Sequence, residues 1–473
     1  MSTINGMRGF LASSIGVTCA AALALPLAPP ASAAATAVVS APSAASAPGG
    51  TQSLPLVPLA DDRAPGAAQQ GVPRRDVQRF SLVGVVWDDP ATELHGHVQV
   101  RTRATATGAW SGWQELETHN ADHAADPDTP ESTSGRVRGA TAPLWVGESD
   151  GVEVRVRAES TSQTHGAGGV HGAHAVGSGA PGAADGTRAA APVAAASPLP
   201  TGMRLELVDP GDGTASTVTP GTGEGARTTD MSAGSAEAFA ASAANADLAP
   251  VGATEIPALS RDLTEAQAQG KPYVGPRPGI TTRRGWGADE KLREKKFVYT
   301  KKVKAAFVHH SATGNNYTCK QAPSVIRSIY RYHVNSMGWR DIGYNFLVDK
   351  CGKIYEGRAG GVSKSVLGAH TLGFNSNSMG IAVLGTYGSK KPSSAAVKGI
   401  ARLTAWKLGL NGMNPRGKTY LKSGGGNLYR KGKNVRLNVI SGHRDGFATS
   451  CPGKKLYSKL GTARSTAAKY QGR

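Results

Sequence analysis

Three side chains in the last third of the chain are of types that bind metal ions. They are His309 in F-V-H-H-S-A, His443 in I-S-G-H-R-D-G and Cys451 in A-T-S-C-P-G. Two imidazoles and a thiolate, with a fourth position left to water, are a sufficient ligand set for catalytic zinc. Such a centre polarises a carbonyl and activates water near neutral pH, which is the chemistry of hydrolysis. Tyr344, in D-I-G-Y-N-F-L-V, adds a phenol able to donate to an oxyanion. His443 and Cys451 are eight residues apart with Gly442, Gly446 and Pro452 around them, a spacing that suits a loop returning two ligands to one centre.

The elements that must position these groups can be read from periodicity. Residues 303–308 read as a buried strand, so His309 emerges at the rim of a sheet. Successive strand side chains point to opposite faces, so His309 and His310 do not both reach one ion directly. Residues 342–348, 353–357 and 379–384 also read as strands. Val325, Ile326, Ile329, Tyr330, His333 and Met337 follow helical spacing, and Val397, Ile400, Leu403 and Leu408 predict a second helix ending near Gly409. Strands interleaved with helices predict an α/β domain with a central mixed β-sheet flanked by helices. Upstream the period changes to two: Phe80, Leu82, Gly84 and Val86 alternate with their neighbours, as do Leu94 to Val100, Val152 to Val156, and Leu205 with Leu207. These half-buried strands predict a preceding all-β, sandwich-like domain. Its G-A-W-S-G-W at 108–113 offers either a sugar-stacking face or cover for a core or sheet edge.

Composition divides the 473 residues further. Residues 1–33 read as an export signal: Arg8 gives the positive start, an apolar stretch runs from Phe10 to Leu27, and Ala31-Ser32-Ala33 offers a cleavage site. Ser13, Ser14, Gly16 and Pro26 interrupt that stretch. Nothing downstream approaches the roughly 20 apolar residues that span a bilayer, so stable membrane insertion is not expected. Residues 34–76 read as a disordered lead and 77–208 as the β-domain, with a disordered insertion near 158–200 that carries His165, His171 and His174. A linker is expected at 209–277, the α/β domain at 278–462 and a basic tail at 463–473. Net charge is +19 but uneven: from Lys271 onward 38 Lys and Arg face 7 Asp and Glu, whereas the first 270 residues hold 15 and 27. So basic a domain suggests a nucleic-acid binder. The export signal redirects that charge toward anionic polymers of a bacterial envelope, with no nucleic-acid partner. Cys19 lies in the signal, and the G-V-T before it is no lipoprotein processing site. Cys319, Cys351 and Cys451 remain, an odd number for an exported chain. The simplest division pairs Cys319 with Cys351 and leaves Cys451 as a metal-bound thiolate; other pairings stay open.

Residues 283–460 resemble a peptidoglycan recognition protein domain, related to the phage-lysozyme type of N-acetylmuramoyl-L-alanine amidase (type 2). The resemblance rests on R-R-G-W-G-A at 283–288, F-V-H-H-S-A at 307–312, G-W-R-D-I-G-Y-N-F at 338–346, Y-E-G-R at 355–358, G-A-H-T-L-G-F-N at 368–375 and G-H-R-D…C-P-G at 442–453. No one motif is specific; all of them in one order are. The resemblance implies a secreted, cell-wall-associated bacterial hydrolase that cuts the amide between N-acetylmuramic acid and L-alanine, with non-catalytic peptidoglycan recognition as the alternative. Non-catalytic relatives characteristically lose the zinc cysteine, and Cys451 is present. Alignment with the family implies that His309 rather than His310 joins His443 and Cys451 on Zn2+, and that Tyr344 is catalytic. The phage branch has a lysine six residues after the second histidine; here that catalytic position is Thr449, as in amidases of the recognition-protein branch. His310, His333, His370 and Asn375 fall on groove positions, although His333 also lies on a helix's apolar stripe. Gly338, Trp339 and Arg358 match positions that favour a diaminopimelate-type stem peptide, whose extra carboxylate a guanidinium can engage bidentately. A monomer is expected.

Overall fold

The structure, a computed structural model, describes residues 49–59, 69–118, 120–159, 198–213 and 233–473. The expected export signal with Cys19, most of the lead, nearly all of the 158–200 insertion with its three histidines, and residues 214–232 lie outside these. The described residues belong to one compact unit.

The all-β part is built on β1 (Gly50–Pro55), β2 (Gln69–Trp87), β3 (Gly96–Ala104), β4 (Gln114–Leu116), β5 (Leu144–Ala158) and β6 (Arg204–Asp209). They pair in the order β1-β6-β2-β5-β3-β4, with two short strands, Val57–Pro58 and Gly139–Ala140, added along β2. Alternation decides which core each side chain joins. Val83 and Val85 of β2 meet Val98, Val100, Val154, Leu205 and Leu207 in a core of the β-domain's own. Leu82, Val86 and Val208 join a second core with Ile326, Ile329, Tyr332 and Trp339 of the C-terminal domain. Because β2 is buried on both faces from Phe80 to Trp87, the two domains share packed apolar surface. Close approach requires a glycine at Gly84, where an added Cβ would lie 2.4 Å from the Tyr332 hydroxyl oxygen. Trp110 and Trp113 are stacked by guanidinium groups, of Arg74 and Arg101 on the first and Arg101 and Arg155 on the second.

The C-terminal domain contains α1 (Ala233–Ala243), β7 (Glu255–Ile256), β8 (Ile280–Thr281), β9 (Ala305–His310), α2 (Ala322–Arg331), β10 (Phe346–Val348), β11 (Ile354–Glu356), β12 (Ser378–Val383), α3 (Ser394–Leu410), β13 (Ile440–Gly442) and α4 (Leu460–Tyr470). Its sheet runs β13-β9-β12-β10-β11-β8-β7. It is mixed: β9 lies parallel to β12 and β13, while β10–β11 and β8–β7 are antiparallel. The α2 stripe continues through a π-helical turn at Tyr332–Ser336, and the Ser393 side chain caps α3 by accepting from the Ala396 N–H. The motif arginine Arg283 is buried and paired with Glu290 and Asp341, so R-R-G-W anchors the fold rather than lining a groove. A disulfide joins Cys319 to Cys351, with their Cα atoms 6.2 Å apart.

Three expected boundaries differ. The expected lead at 34–76 instead holds β1, which pairs with β6, and the start of β2 at Gln69. An edge strand with alternate exposed polar residues in a Pro/Gly-rich setting leaves little periodicity to read. The expected linker at 209–277 instead supplies α1, β7 and a helix at Arg261–Gln267, anchored by single buried groups such as Ile256 and Val274. The expected tail at 463–473 is the body of α4, which packs on α3 through Ala463 and Ala467 and buries Gln471. Small residues that permit close helix approach carry little hydropathy signal.

Candidate metal centre

His309 and His443 leave neighbouring parallel strands at one level, because Val308 of β9 sits beside Gly442 of β13. Their ring centroids are 4.5 Å apart. The 444–450 loop returns Cys451 to them, closed by the Arg444 N–H donating to the Cys451 carbonyl at 3.1 Å. Cys451 is the free cysteine of the described residues, and its Sγ lies 3.8 Å from His309 Nδ1.

The fourth member of this cluster comes from the other domain. His123 sits in the 117–138 loop between β4 and the Gly139–Ala140 strand, and its Nε2 is 3.6 Å from Cys451 Sγ. Ligand atoms of His123, His309, His443 and Cys451 all lie within 4.8 Å of one another, and all four residues are buried. A tetrahedral zinc with usual bond lengths would put nitrogen and sulfur ligands roughly 3.5 Å apart, close to the two distances seen. Among the described residues neither ring nitrogen of buried His443 has a hydrogen-bond partner, although Asp122 Oδ2 faces Nδ1 at 3.6 Å, an arrangement that costs free energy unless something else fills it. The donor set and its orphaned atoms therefore fit a metal ion. Outer partners orient the ligands: Asp122 Oδ1 is 2.9 Å from His123 Nδ1, and the Thr371 hydroxyl is 3.4 Å from His309 Nε2.

Burial sets the electrostatics. It drives His309 well below the usual imidazole range and His443 down to about 3, so both rings are neutral and ready to donate a lone pair. It pushes the Cys451 thiol well up, with Asp122 adding to the effect, so ionisation there calls for a cation. Burial would also raise Asp122, but His123 and His443 outweigh it and hold the carboxyl low. Tyr344 packs 5.5 Å from His309 by ring centroids, and burial keeps its phenol protonated far above neutrality.

The remaining expected site residues surround this centre. Thr449 Oγ1 accepts from the Cys451 N–H at 3.1 Å, so it shapes the ligand loop. His310 is not one of the four clustered residues: its Nδ1 accepts the Tyr387 N–H and its Nε2 lies 3.6 Å from Glu117. His333 is buried against Trp339, accepts the Gly343 N–H at Nδ1, and is held down to about 3 by burial. His370 is buried 5.2 Å from His309 by ring centroids, while the Asn375 side-chain oxygen accepts from the N–H groups of His370 and Thr371. Gly338 adopts φ +76° where the chain turns into Trp339. Arg358 forms a bidentate pair with Glu131 of the 117–138 loop, both N–O distances 2.8 Å.

His123 escaped the sequence reading because it lies 328 residues from Cys451 on a different domain. Two signals point toward it: an irregular loop of about twenty residues, longer than loops without a role usually are, and its acids Asp122, Asp126, Asp128 and Glu131 in a chain whose other domain is strongly basic.

The family described as "N-acetylmuramoyl-L-alanine amidase" matches residues 299–454, and one described as "Rv3811 N-terminal galactose-binding domain-like" matches 32–191. Peptidoglycan-recognition protein SC2 of Drosophila simulans is 34% identical over 159 residues, which are 33% of this chain and 72% of the relative. Peptidoglycan-recognition protein SC1a of Drosophila melanogaster is 33% identical over 155 residues, 33% of this chain and 70% of the relative. The solved structure of wild-type Drosophila PGRP-LB is 24% identical and covers 39% of this chain and 92% of its own, with a TM-score of 0.31.

Proposed function

The chain belongs to the family of peptidoglycan recognition proteins and type 2 N-acetylmuramoyl-L-alanine amidases, and on that premise we propose that it is an exported zinc amidase. It cuts the amide between N-acetylmuramic acid and L-alanine in bacterial peptidoglycan. The observation that carries this reading is Cys451, buried beside His309 and His443 with an Sγ directed at the imidazoles. Zinc held there would supply Lewis-acid polarisation of the scissile carbonyl and a nucleophile drawn from water.

The chain's own groups do the rest. Neutral Tyr344 donates its hydroxyl proton to the carbonyl oxygen as negative charge builds on it. Thr449 fixes the backbone that presents Cys451. Once released from Glu131, Arg358 would read the carboxylate that a diaminopimelate residue carries and lysine lacks, and Gly338 would leave room beside Trp339 once the Arg136 carbonyl withdraws. The disulfide and the signal-like start support action outside the cytoplasm, and the lysine-rich C-terminal domain favours adhesion to anionic wall polymers. A second reading, recognition without cleavage, is favoured by one observation: with His123 present, four protein groups fill the coordination sphere, as in structural zinc sites.

Digestion of purified diaminopimelate-type wall separates the two. New L-alanine amino termini should appear, vanish with a chelator and return with zinc. Wall that is bound but yields no termini under any metal condition would leave the recognition reading standing.

A further inference from the structure

We propose that the 117–138 loop of the β-domain is an internal ligand of the substrate groove, which holds the enzyme latent until a muropeptide displaces it. What the loop blocks rests on the amidase reading; that it fills the groove rests on its contacts. At the metal end His123 takes the fourth position, where an open catalytic site would keep water. At the far end Glu131 grips Arg358 with both oxygens, and its Oε1 also accepts the Arg340 N–H at 3.2 Å. That is the contact a diaminopimelate carboxylate would make, and both partners are buried, with side chains 7% and 5% exposed.

Around these ends the loop runs along residues 372–375 and 337–338. Asp126 Oδ1 accepts from the N–H groups of Gly373 and Asn375 and from the Asn375 side-chain amide, which also donates to the Ala124 carbonyl. The Leu372 N–H donates to the Asp122 carbonyl, and the Arg138 N–H to the Met337 carbonyl. The Arg136 carbonyl presses on Gly338, where an added Cβ would meet it at 2.0 Å. Four residues expected to contact substrate or shape its cleft (Gly338, Arg358, His310 and Asn375) thus touch the loop instead.

The bonding is of a kind that exchanges. Apart from Ala125 and Val137, the loop adds little to the apolar core, so its attachment is mostly ion pairs and hydrogen bonds that a peptide stem can replace one for one. Its tether to β4 and the Gly139–Ala140 strand gives it an effective concentration on the order of mM. A free muropeptide must outcompete that.

The test uses the full chain and two variants, His123→Ala and Glu131→Gln, with a soluble muramyl-tripeptide ending in diaminopimelate as calorimetric probe. Azide added to cobalt-loaded protein reports an open coordination position. Both variants should bind the probe at least about tenfold tighter than wild type. Azide should perturb the cobalt spectrum of His123→Ala and leave wild type unchanged. Equal probe affinity in all three chains overturns the proposal, as does loss of all metal from folded His123→Ala. Should His123→Ala not fold, near-isosteric Glu131→Gln decides alone. Tighter probe binding by the variants without L-alanine release from wall would keep the latch and remove the amidase reading. Equal cleavage by all three would do the reverse.

Discussion

His309 and His123 stand 5.3 Å apart by ring centroids, yet they reach that place by opposite means. His309 is the penultimate residue of a strand paired along its whole length with β12, and Ala306 and Val308 of that strand join the domain's apolar core. His123 rides a long irregular loop held by carboxylates, carbonyls and one imidazole. The strand side is fixed by its own ladder and apolar core. The loop side owes its position to the groups it contacts, so it is the side that can leave.

That contrast predicts unequal consequences for equal chemistry. Cys451→Ser or His443→Ala should lower zinc affinity well beyond the roughly 10–100-fold that loss of an outer partner costs, as read by chelator competition. His123→Ala should lose less and retain one zinc per chain. If His123→Ala costs as much as Cys451→Ser, the two sides are not different in kind.

Tyr344→Phe, made in the His123→Ala chain, should keep its zinc and its Tm while kcat falls about 10²–10³-fold. Unchanged turnover would return Tyr344 to a packing role.

A histidine outside the four-residue cluster tests the burial itself. His333 is lowered from 6.5 to about 3, first by burial and further by His123 and Arg358, so the unfolded chain takes up this proton first. Stability from the neutral ring is whole above about pH 6.5 and falls as pH drops toward 3, at up to about tenfold in the folding constant per pH unit. Urea midpoints measured between pH 7 and 4 should show that fall, and His333→Gln should flatten it. Identical slopes would mean that His333 is solvated.

The smallest effect concerns stem choice. With Arg358 released by Glu131→Gln, diaminopimelate-type fragments should be cleaved roughly tenfold better than lysine-type ones, chiefly through KM. Arg358→Ala in the same chain should erase the preference. A preference that survives Arg358→Ala places selectivity elsewhere.

The same asymmetry decided what the sequence revealed. Strand ends, helical stripes and the Cys319–Cys351 pairing were legible because short-range periodicity and cysteine parity record them; the β9 strand, α2 and α3 lie where expected to within a few residues. Spacing also paired His443 with Cys451, since G-H-R-D…C-P-G holds both in one loop, while the choice of His309 over His310 followed from the family resemblance. Nothing local records that Glu131 will meet Arg358, 227 residues later, or that Asp126 will meet Asn375. Those pairings exist only after Leu82, Val86 and Val208 have docked the β-domain on α2. Alanine-rich α4 and the two-residue β7 were missed for a simpler reason: too few large apolar side chains to set a period.

X-ray absorption at the zinc edge of this 473-residue chain is the most direct test that both regions meet on one ion. The structure predicts a single zinc with one sulfur at about 2.3 Å and three imidazole nitrogens at about 2.0–2.1 Å, one nitrogen being lost in His123→Ala. A wild-type shell of one sulfur, two imidazoles and a water oxygen, unchanged by His123→Ala, would contradict it.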